Sequence, residues 1–387
     1  MNARTTKPVL NVVAGAGPAS VAATGARKLF QHPGPFAMFR GGTLEGPVLA
    51  YETWGELNAA RDNAVLIFTG MSPSAHAASS PADPSPGWWE EVVGPGRPID
   101  TRRFFVVCMN SLGSCFGSTG PASIDPRTGR PYRLNFPVLS LEDVASAGRA
   151  LVAHLGITSL HALVGPSMGG MTSLAFAIQF PGLARNLLLL STAARSLPFA
   201  IALRSLQREM IRRDPDWLHG EYPPGAGPIT GMRLARKLGM LTYRSAREWE
   251  QRFGRERVEG ERQAGDAFAV DFEVEAYLEA HAQKFTGQFD ANCYLYLSRA
   301  SDLFDVADHG GSLEAGLARV QAERVGVIGV ETDFLFPLHQ QQELGRLLAA
   351  PGREVQLTEL PSLQGHDAFL VDMDRFRPPI AAFFAPR

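Results

Sequence analysis

Ser167 lies between two glycines in the run 165–169, which reads GPSMG. Residues 160–164 before it are typical of a buried strand, and residues 171–178 after it of a helix. A serine at a sharp strand-to-helix turn exposes its hydroxyl, and small neighbours avoid clashes there. The alternative is an ordinary glycine-rich turn, which the flanking patterns disfavour. The run therefore predicts a nucleophile, with the amide of Met168 at the helix start as one donor to the reaction's oxyanion.

A serine hydroxyl needs a base, and the base needs an acid to orient it. At elbows of this kind the chain order is serine, acid, histidine, each after a core strand. The apolar run 325–330 predicts a strand that leads directly to Glu331 and Asp333. The run 355–360 predicts the next strand, with His366 on the loop behind it. We predict Asp333 as the acid and His366 as the base, with Glu331 as the alternative acid.

Two other histidines could face the site in this topology. His76 precedes Ser167, against the expected order. His339 follows on a predicted helix, where a surface position is expected. The second oxyanion donor is expected on the loop after the strand 65–68, at Met71. The alternative for that loop is a connector rich in serine and proline.

The alternation of strand and helix patterns predicts an α/β fold with a mostly parallel central sheet. Residues 195–305 are rich in arginine, glutamate and aromatic residues at helical spacing, which predicts a helical lid. This lid divides the core into residues 36–194 and 306–387. Residues 1–35 are predicted to be a disordered tail without a clear targeting signal.

Composition narrows the class of protein. A net charge of −2 argues against nucleic acid or an anionic membrane as partner. The chain has no apolar stretch of about 18 residues that could span a membrane. Cys108, Cys115 and Cys293 show no metal-ligand spacing, and their odd number favours a reducing compartment. We therefore expect a cytoplasmic enzyme without a metal site.

With these residues in hand, the chain resembles the homoserine/serine O-acyltransferase group of the α/β-hydrolase fold, from about residue 36 to the C-terminus. The motifs that carry the resemblance are SMGGM at 167–171, GSTGPAS at 117–123, DPDW at 214–217 and TYRS at 242–245. The resemblance implies a homodimer with a helical lid and no cofactor. It also implies that an acyl group passes from acyl-CoA to Ser167 and then to an amino-acid hydroxyl.

The resemblance further assigns the substrate-binding residues Arg236 and Asp367. An arginine can hold an amino-acid carboxylate through two hydrogen bonds, and an aspartate can hold the ammonium. Without the resemblance, Arg236 would be interpreted as a surface charge of the lid.

Two positions differ from the acetyl-transferring relatives, which carry GGS at the elbow and asparagine at position 204. Here the elbow reads GPS and residue 204 is arginine. The chain thus resembles the branch that transfers succinyl from succinyl-CoA to L-serine for cysteine synthesis. Three further motifs carry the same resemblance, namely SPSAH at 72–76, GWWE at 87–90 and NSLGSC at 110–115. The predicted substrate-specificity loop consists of Met71, Ser72, Pro73 and Ser74. Because a buried succinyl carboxylate needs a cation, Arg204 is predicted to set acyl-donor specificity.

Other functions stay open at this point. Serine and homoserine differ by one methylene, worth only about 1–3 kcal/mol in a pocket, so homoserine with an acetyl or succinyl donor is the nearest alternative. An esterase or other hydrolase would share the whole triad. The predicted pairing of Arg236 with Asp367 around a zwitterion favours transfer.

Overall fold

The computed structural model describes residues 25–258 and 267–386. Its central sheet has eight strands in the order β1-β2-β4-β3-β5-β6-β7-β8. Their bounds are β1 Lys28–Gln31, β2 Val48–Trp54, β3 Ala64–Phe68, β4 Phe105–Met109, β5 Leu160–Pro166, β6 Ala184–Leu190, β7 Arg324–Val330 and β8 Glu354–Leu360. Strand β2 pairs antiparallel with β1 and β4, and every other pair in this sheet is parallel. The predicted α/β fold is confirmed.

The inner strands are apolar because both faces of the sheet are covered. In β3, Leu66 and Phe68 join one hydrophobic cluster, whereas Val65 and Ile67 join the other. Successive side chains of a strand point to opposite faces, so the two clusters are the two sides of the sheet. This burial holds the carboxyl ends of β5, β7 and β8 in fixed positions, and the predicted chemistry lies at those ends.

Helices α1 (Leu141–His154), α2 (Met168–Gln179) and α9 (Leu338–Leu348) pack on one face of the sheet, and α11 (Met373–Phe384) packs on the other. The insertion between β6 and β7 contains α3 (Pro198–Arg213), α4 (Ile229–Tyr243), α5 (Ala246–Phe253), α6 (Glu273–Phe285) and α7 (Ala291–Leu303). Two short helices, α8 (Leu313–Leu317) and α10 (Ala368–Val371), precede β7 and α11. None of the helices in the described ranges is long and apolar enough to cross a membrane.

The fold begins earlier than the sequence patterns predict. Strand β1 lies inside the range 1–35 that was predicted to be a disordered tail, and Phe30 pairs with Leu49 of β2 and is buried. The prediction was therefore wrong for residues 28–35. An edge strand of four residues with a single buried side chain gives too short a pattern to detect. Residues 1–24 lie outside the described residues.

Candidate active site

Ser167 occupies the turn between β5 and α2 with a φ of 55° and a ψ of −125°. Such a conformation costs about 1–3 kcal/mol in a non-glycine residue, and it is maintained by close packing around the turn. A Cβ atom on Gly165 would lie 2.1 Å from the carbonyl oxygen of Gly169. One on Gly169 would lie 2.1 Å from the carbonyl oxygen of Phe68. The prediction that the crowding at this turn requires both glycines is confirmed.

Three side chains from separate loops form a continuous hydrogen-bonded chain. His366 Nε2 lies 2.8 Å from Ser167 Oγ, and His366 Nδ1 lies 2.8 Å from Asp333 Oδ2. The other carboxylate oxygen of Asp333 accepts hydrogen bonds from the amides of Leu335 and Phe336, at 3.0 and 2.9 Å. These bonds fix the carboxylate, so the histidine ring is held with one nitrogen facing the serine. The geometry allows His366 to take a proton from Ser167.

The loops after β7 and β8 are tied to each other beside this chain. The hydroxyl of Thr332 donates to the carbonyl of Ser362 at 2.7 Å and accepts from the amide of Gly365 at 3.1 Å. Thr332 precedes Asp333 and Gly365 precedes His366. One hydroxyl therefore fixes the spacing of the acid and the base.

The electrostatic environment of His366 favours its protonated form. Burial alone would lower the pKa of this histidine, but the charge of Asp333, its hydrogen bond and the charge of Asp367 outweigh burial. The pKa is therefore raised above the usual 6.5. An imidazolium formed during the reaction is stabilised by the same two carboxylates.

The two predicted oxyanion donors have free amides. Within the described ranges, neither Met71 nor Met168 donates its backbone N–H to a protein acceptor. Met168 is the first residue of α2, where backbone N–H groups point outward and the helix dipole favours negative charge. The close approach of Gly169 to Phe68 and Thr69 brings the loop after β3 against the start of this helix.

The alternative candidates for the acid and the base do not contact Ser167. Glu331 and His339 are exposed, and His76 forms an ion pair with Glu52. No hydrogen bond joins any of the three to Ser167 in the described part of the chain. No cluster of three or more histidine, cysteine, aspartate or glutamate side chains that could hold a metal ion occurs there either.

An open pocket of about 810 Å³, including the space at its mouth, lies between the core and the insertion. The core contributes Ser72, Phe116 and Asp367 to it, and the insertion contributes Arg236, Met240, Tyr243, Arg244, Trp249, Tyr277, His281, Lys284, Phe285 and Gln288. The predicted pair Arg236 and Asp367 thus lines one cavity. The guanidinium of Arg236 lies 4.5 Å from the ring centre of Phe285, and its buried Nε has no hydrogen-bond partner among residues 25–258 and 267–386. Asp367 lies 3.7 Å from the guanidinium of Arg244.

The comparisons with known proteins agree with this geometry. The profile of the alpha/beta hydrolase fold family matches residues 63–372. The serine O-succinyltransferase of Litchfieldella anticariensis is 59% identical to this chain, over 93% of this chain and 98% of the relative. The L-serine/homoserine O-acetyltransferase of Streptomyces lavendulae is 57% identical, over 93% and 97%. The chain belongs to the serine/homoserine O-acyltransferase family of the α/β-hydrolase fold.

A solved structure extends the comparison to three dimensions. The crystal structure of homoserine O-acetyltransferase from Bacillus anthracis matches this acyltransferase with a TM-score of 0.86 at 29% identity, over 93% of this chain and 98% of that one. The similarity therefore spans the insertion as well as the core.

Tyr243 of this acyltransferase was not predicted as a site residue, although it lies in the TYRS motif. Its ring centre is 6.2 Å from that of His366, and it lines the pocket. Burial raises the pKa of its phenol, which therefore stays protonated and able to donate a hydrogen bond. Tyr243 follows Arg236 by seven residues on α4, which places both on one helix face. That spacing is the signal that could have revealed it.

Arg204 was predicted to be a lid cation that is available to pair with the succinyl carboxylate, and its surroundings differ from that prediction. It is 5% exposed, and its guanidinium donates to Asp302 at 2.6 Å and to Ser196 at 2.5 Å. It is absent from the residues that line the pocket. Its positive charge still acts on the site, because it lowers the pKa of His366 and so opposes the rise caused by the carboxylates. The correction is that Arg204 already has a protein carboxylate as partner.

Asp302 also accepts a hydrogen bond from Arg208 at 2.6 Å. Two guanidiniums, one buried and one half-buried, therefore share one carboxylate, which leaves these three side chains with one positive charge in excess.

Proposed function

We propose that this protein is a serine O-succinyltransferase, which transfers the succinyl group of succinyl-CoA to the hydroxyl of L-serine for cysteine synthesis. The observation that carries the proposal is the position of Arg236 and Asp367. These opposite charges line one pocket, and Asp367 follows the proposed base in the chain. A zwitterion such as serine matches that pair. The similarity to a serine O-succinyltransferase over almost the full chain supports the same assignment.

The first half-reaction loads the enzyme. Ser167 Oγ attacks the thioester carbon while His366 Nε2 removes the serine proton, and Asp333 stabilises the imidazolium. The amides of Met71 and Met168 bind the oxyanion. Collapse of the intermediate breaks the carbon–sulfur bond, and His366 returns the proton to the leaving sulfur. The products are free CoA and a succinyl ester on Ser167.

The second half-reaction transfers the succinyl group from Ser167 to L-serine. Arg236 binds the carboxylate of L-serine and Asp367 binds the ammonium, which positions the hydroxyl for attack on the ester carbon. His366 accepts the hydroxyl proton and then returns a proton to Ser167 Oγ. Water in the site would hydrolyse the ester, so we assign the insertion 195–305 the role of a lid that limits its access.

The donor's terminal carboxylate requires a partner in this scheme. We assign it to the group formed by Arg204, Arg208 and Asp302, because the excess positive charge there is compensated when an anion binds. An acetyl group offers no such charge. The loop Met71, Ser72, Pro73 and Ser74 is assigned to substrate specificity, with Ser72 in the pocket wall.

We also propose a cytoplasmic homodimer that needs no prosthetic group. Helices α3 and α4 pack together, as shown by the hydrogen bond from the Gln207 side chain to the carbonyl of Ala235. Their exposed large apolar side chains are Phe199, Leu206, Ile229, Leu234 and Leu241. Apolar side chains grouped on neighbouring helices are typical of an interface, and a second copy of the chain is the partner we assign to it.

The deciding experiment crosses succinyl-CoA and acetyl-CoA with L-serine and L-homoserine and identifies the products by mass spectrometry. We expect O-succinylserine to form with the highest kcat/KM. Faster formation of an O-acetyl or homoserine product would assign the protein to another branch of the family. Release of free succinate in the presence of serine would indicate a hydrolase.

A further inference from the structure

His76 connects the predicted oxyanion loop to β2, the second strand of the sheet. Its Nδ1 lies 2.8 Å from Glu52 Oε2 on β2, and its Nε2 lies 2.9 Å from the carbonyl oxygen of Ser85. A carbonyl oxygen only accepts, and an ionised carboxylate also only accepts. The Ser85 hydroxyl also lies 3.3 Å from Nε2, but it donates its proton to Asp83 at 2.6 Å. The geometry thus favours a ring in which both nitrogens donate, which is an imidazolium.

The charges around this ring agree with that state. Glu52 is buried, and Asp83 lies 3.9 Å from His76 Nδ1. The charge of Arg27 interacts with both carboxylates, and the charge of His76 helps to lower the pKa of Glu90. The hydrogen bond to Glu52 outweighs burial and raises the pKa of His76 to about 9.

Hydrogen bonds from Trp88 and Asn110 hold the backbone of residues 73–76 beside this ion pair. The Trp88 amide donates to the carbonyl of His76 at 3.2 Å, and the Trp88 indole donates to the carbonyl of Ser74 at 3.2 Å. The Asn110 side chain donates to the carbonyl of Pro73 at 3.3 Å. The loop between β3 and His76 is thus fixed at its far end, and Met71 lies in its middle.

We propose that His76, held as an imidazolium on Glu52, is a positioning residue that places the Met71 amide for acyl transfer, and that its deprotonation slows acylation of Ser167. The inference rests on the proposed function, because it takes the Met71 amide as an oxyanion donor. An oxyanion donor contributes only when it is held at hydrogen-bond distance from the developing charge, so loosening its loop lowers the rate.

The expected pH dependence has two limbs. Acylation rises with pH as His366 loses its proton, and it falls as pH passes about 9, where His76 loses the charge that holds Glu52. In the folded protein the pKa of His76 is raised, so its contribution to stability is complete below 6.5 and is lost as pH rises to about 9.

The test measures acylation of the full-length enzyme by succinyl-CoA alone, with rapid quench and intact-protein mass spectrometry from pH 6 to 10.5. Serine is left out because its own ammonium titrates at alkaline pH. His76→Gln should acylate about tenfold to a hundredfold more slowly at pH 7.5 and should lose the alkaline limb. Glu52→Gln keeps the ring but removes its main partner, so the limb should move to lower pH by about one unit or more.

Two further variants complete the series. Asp83→Asn removes a weaker interaction, so its limb should move in the same direction by a smaller amount. His339→Gln removes an exposed histidine and should match the wild type in rate and limb. Circular dichroism establishes which variants fold. If His76→Gln does not fold, the positions of the alkaline limb in Glu52→Gln and Asp83→Asn test the inference.

Equal losses at every pH with an unmoved limb would make His76 a merely structural residue and overturn the inference. Wild-type rates in His76→Gln would do the same. A wild-type protein that forms no succinyl adduct would overturn the proposed function together with this inference. An adduct on the wild type with unmoved limbs in the variants would overturn this inference alone.

Discussion

The guanidinium of Arg236 lies 5.8 Å from the ring centre of Tyr243, and both residues line the pocket beside His366. The phenol is protonated because burial raises its pKa, so it can donate to the substrate carboxylate that we propose Arg236 binds. We expect Tyr243→Phe to raise the KM for serine about threefold to tenfold, since one hydrogen bond contributes about 0.5–1.5 kcal/mol. Steady-state kinetics with serine varied would show this. An unchanged KM would remove Tyr243 from the acceptor site.

Covalent catalysis by Ser167 can be tested without an acceptor. Incubation with succinyl-CoA should add one succinyl mass to a peptide that contains Ser167, and Ser167→Ala should form no adduct. The variant should remain folded and lose activity by several orders of magnitude. Sequential rather than ping-pong kinetics, together with no adduct under rapid quench, would contradict the scheme.

Arg236 and Asp367 are expected to act only in the second half-reaction. Arg236→Ala and Asp367→Ala should still form the succinyl enzyme but transfer the group to serine poorly, because the carboxylate and ammonium of serine are absent from the first step. Lys237→Gln is a matched control, since Lys237 is the neighbour of Arg236 in the chain and pairs with Glu279 outside the pocket wall. Loss of acylation in both alanine variants would show that they serve structure or the donor.

Donor choice is expected to depend on Arg204. Arg204→Asn leaves Asp302 paired with Arg208 and removes the excess charge, so kcat/KM for succinyl-CoA should fall about tenfold to a hundredfold more than for acetyl-CoA. The KM for serine should change little. Arg208→Gln also removes the excess charge but keeps the pair of Arg204 with Asp302. It therefore tests whether donor choice depends on the excess charge or on Arg204 itself. Equal losses with both donors would exclude Arg204 as the donor-specificity residue.

The acid limb of activity should follow His366. Its pKa is raised, so the neutral base forms only as pH rises above 6.5, and half-maximal acylation should lie above that value. Asp333→Asn removes the interactions that oppose the effect of burial on the pKa of His366, so this pKa should fall. The rate should fall as well, by about four orders of magnitude. The pH profile of acylation by succinyl-CoA measures both effects. A limb that Asp333→Asn leaves unmoved would assign the titration to another group.

The sheet could be predicted from the sequence because inner parallel strands are continuous apolar runs. The run 325–330 coincides with β7 except for its first residue, Arg324. The positions of Asp333 and His366 followed from the strand ends and chain order alone. Arg204 shows the limit of this reasoning, because its partner Asp302 is 98 residues further along the chain and no local pattern reveals such a pair. The edge strand β1 was too short to leave a pattern.

The pocket wall comes mostly from α4, α5 and α6, whereas the serine, its base and its acid come from the ends of β5, β7 and β8. In the proposed scheme, most of the pocket wall is therefore encoded in a different stretch of the chain from the reacting side chains, with Asp367 and the loop 71–74 as the parts that the core supplies. Substitutions in the insertion could change which acyl group or amino acid is accepted while the reacting atoms keep their spacing. Divergence within such a family can then proceed largely within this segment, and laboratory evolution aimed at a new acceptor has a bounded set of positions to search there and in the loop 71–74.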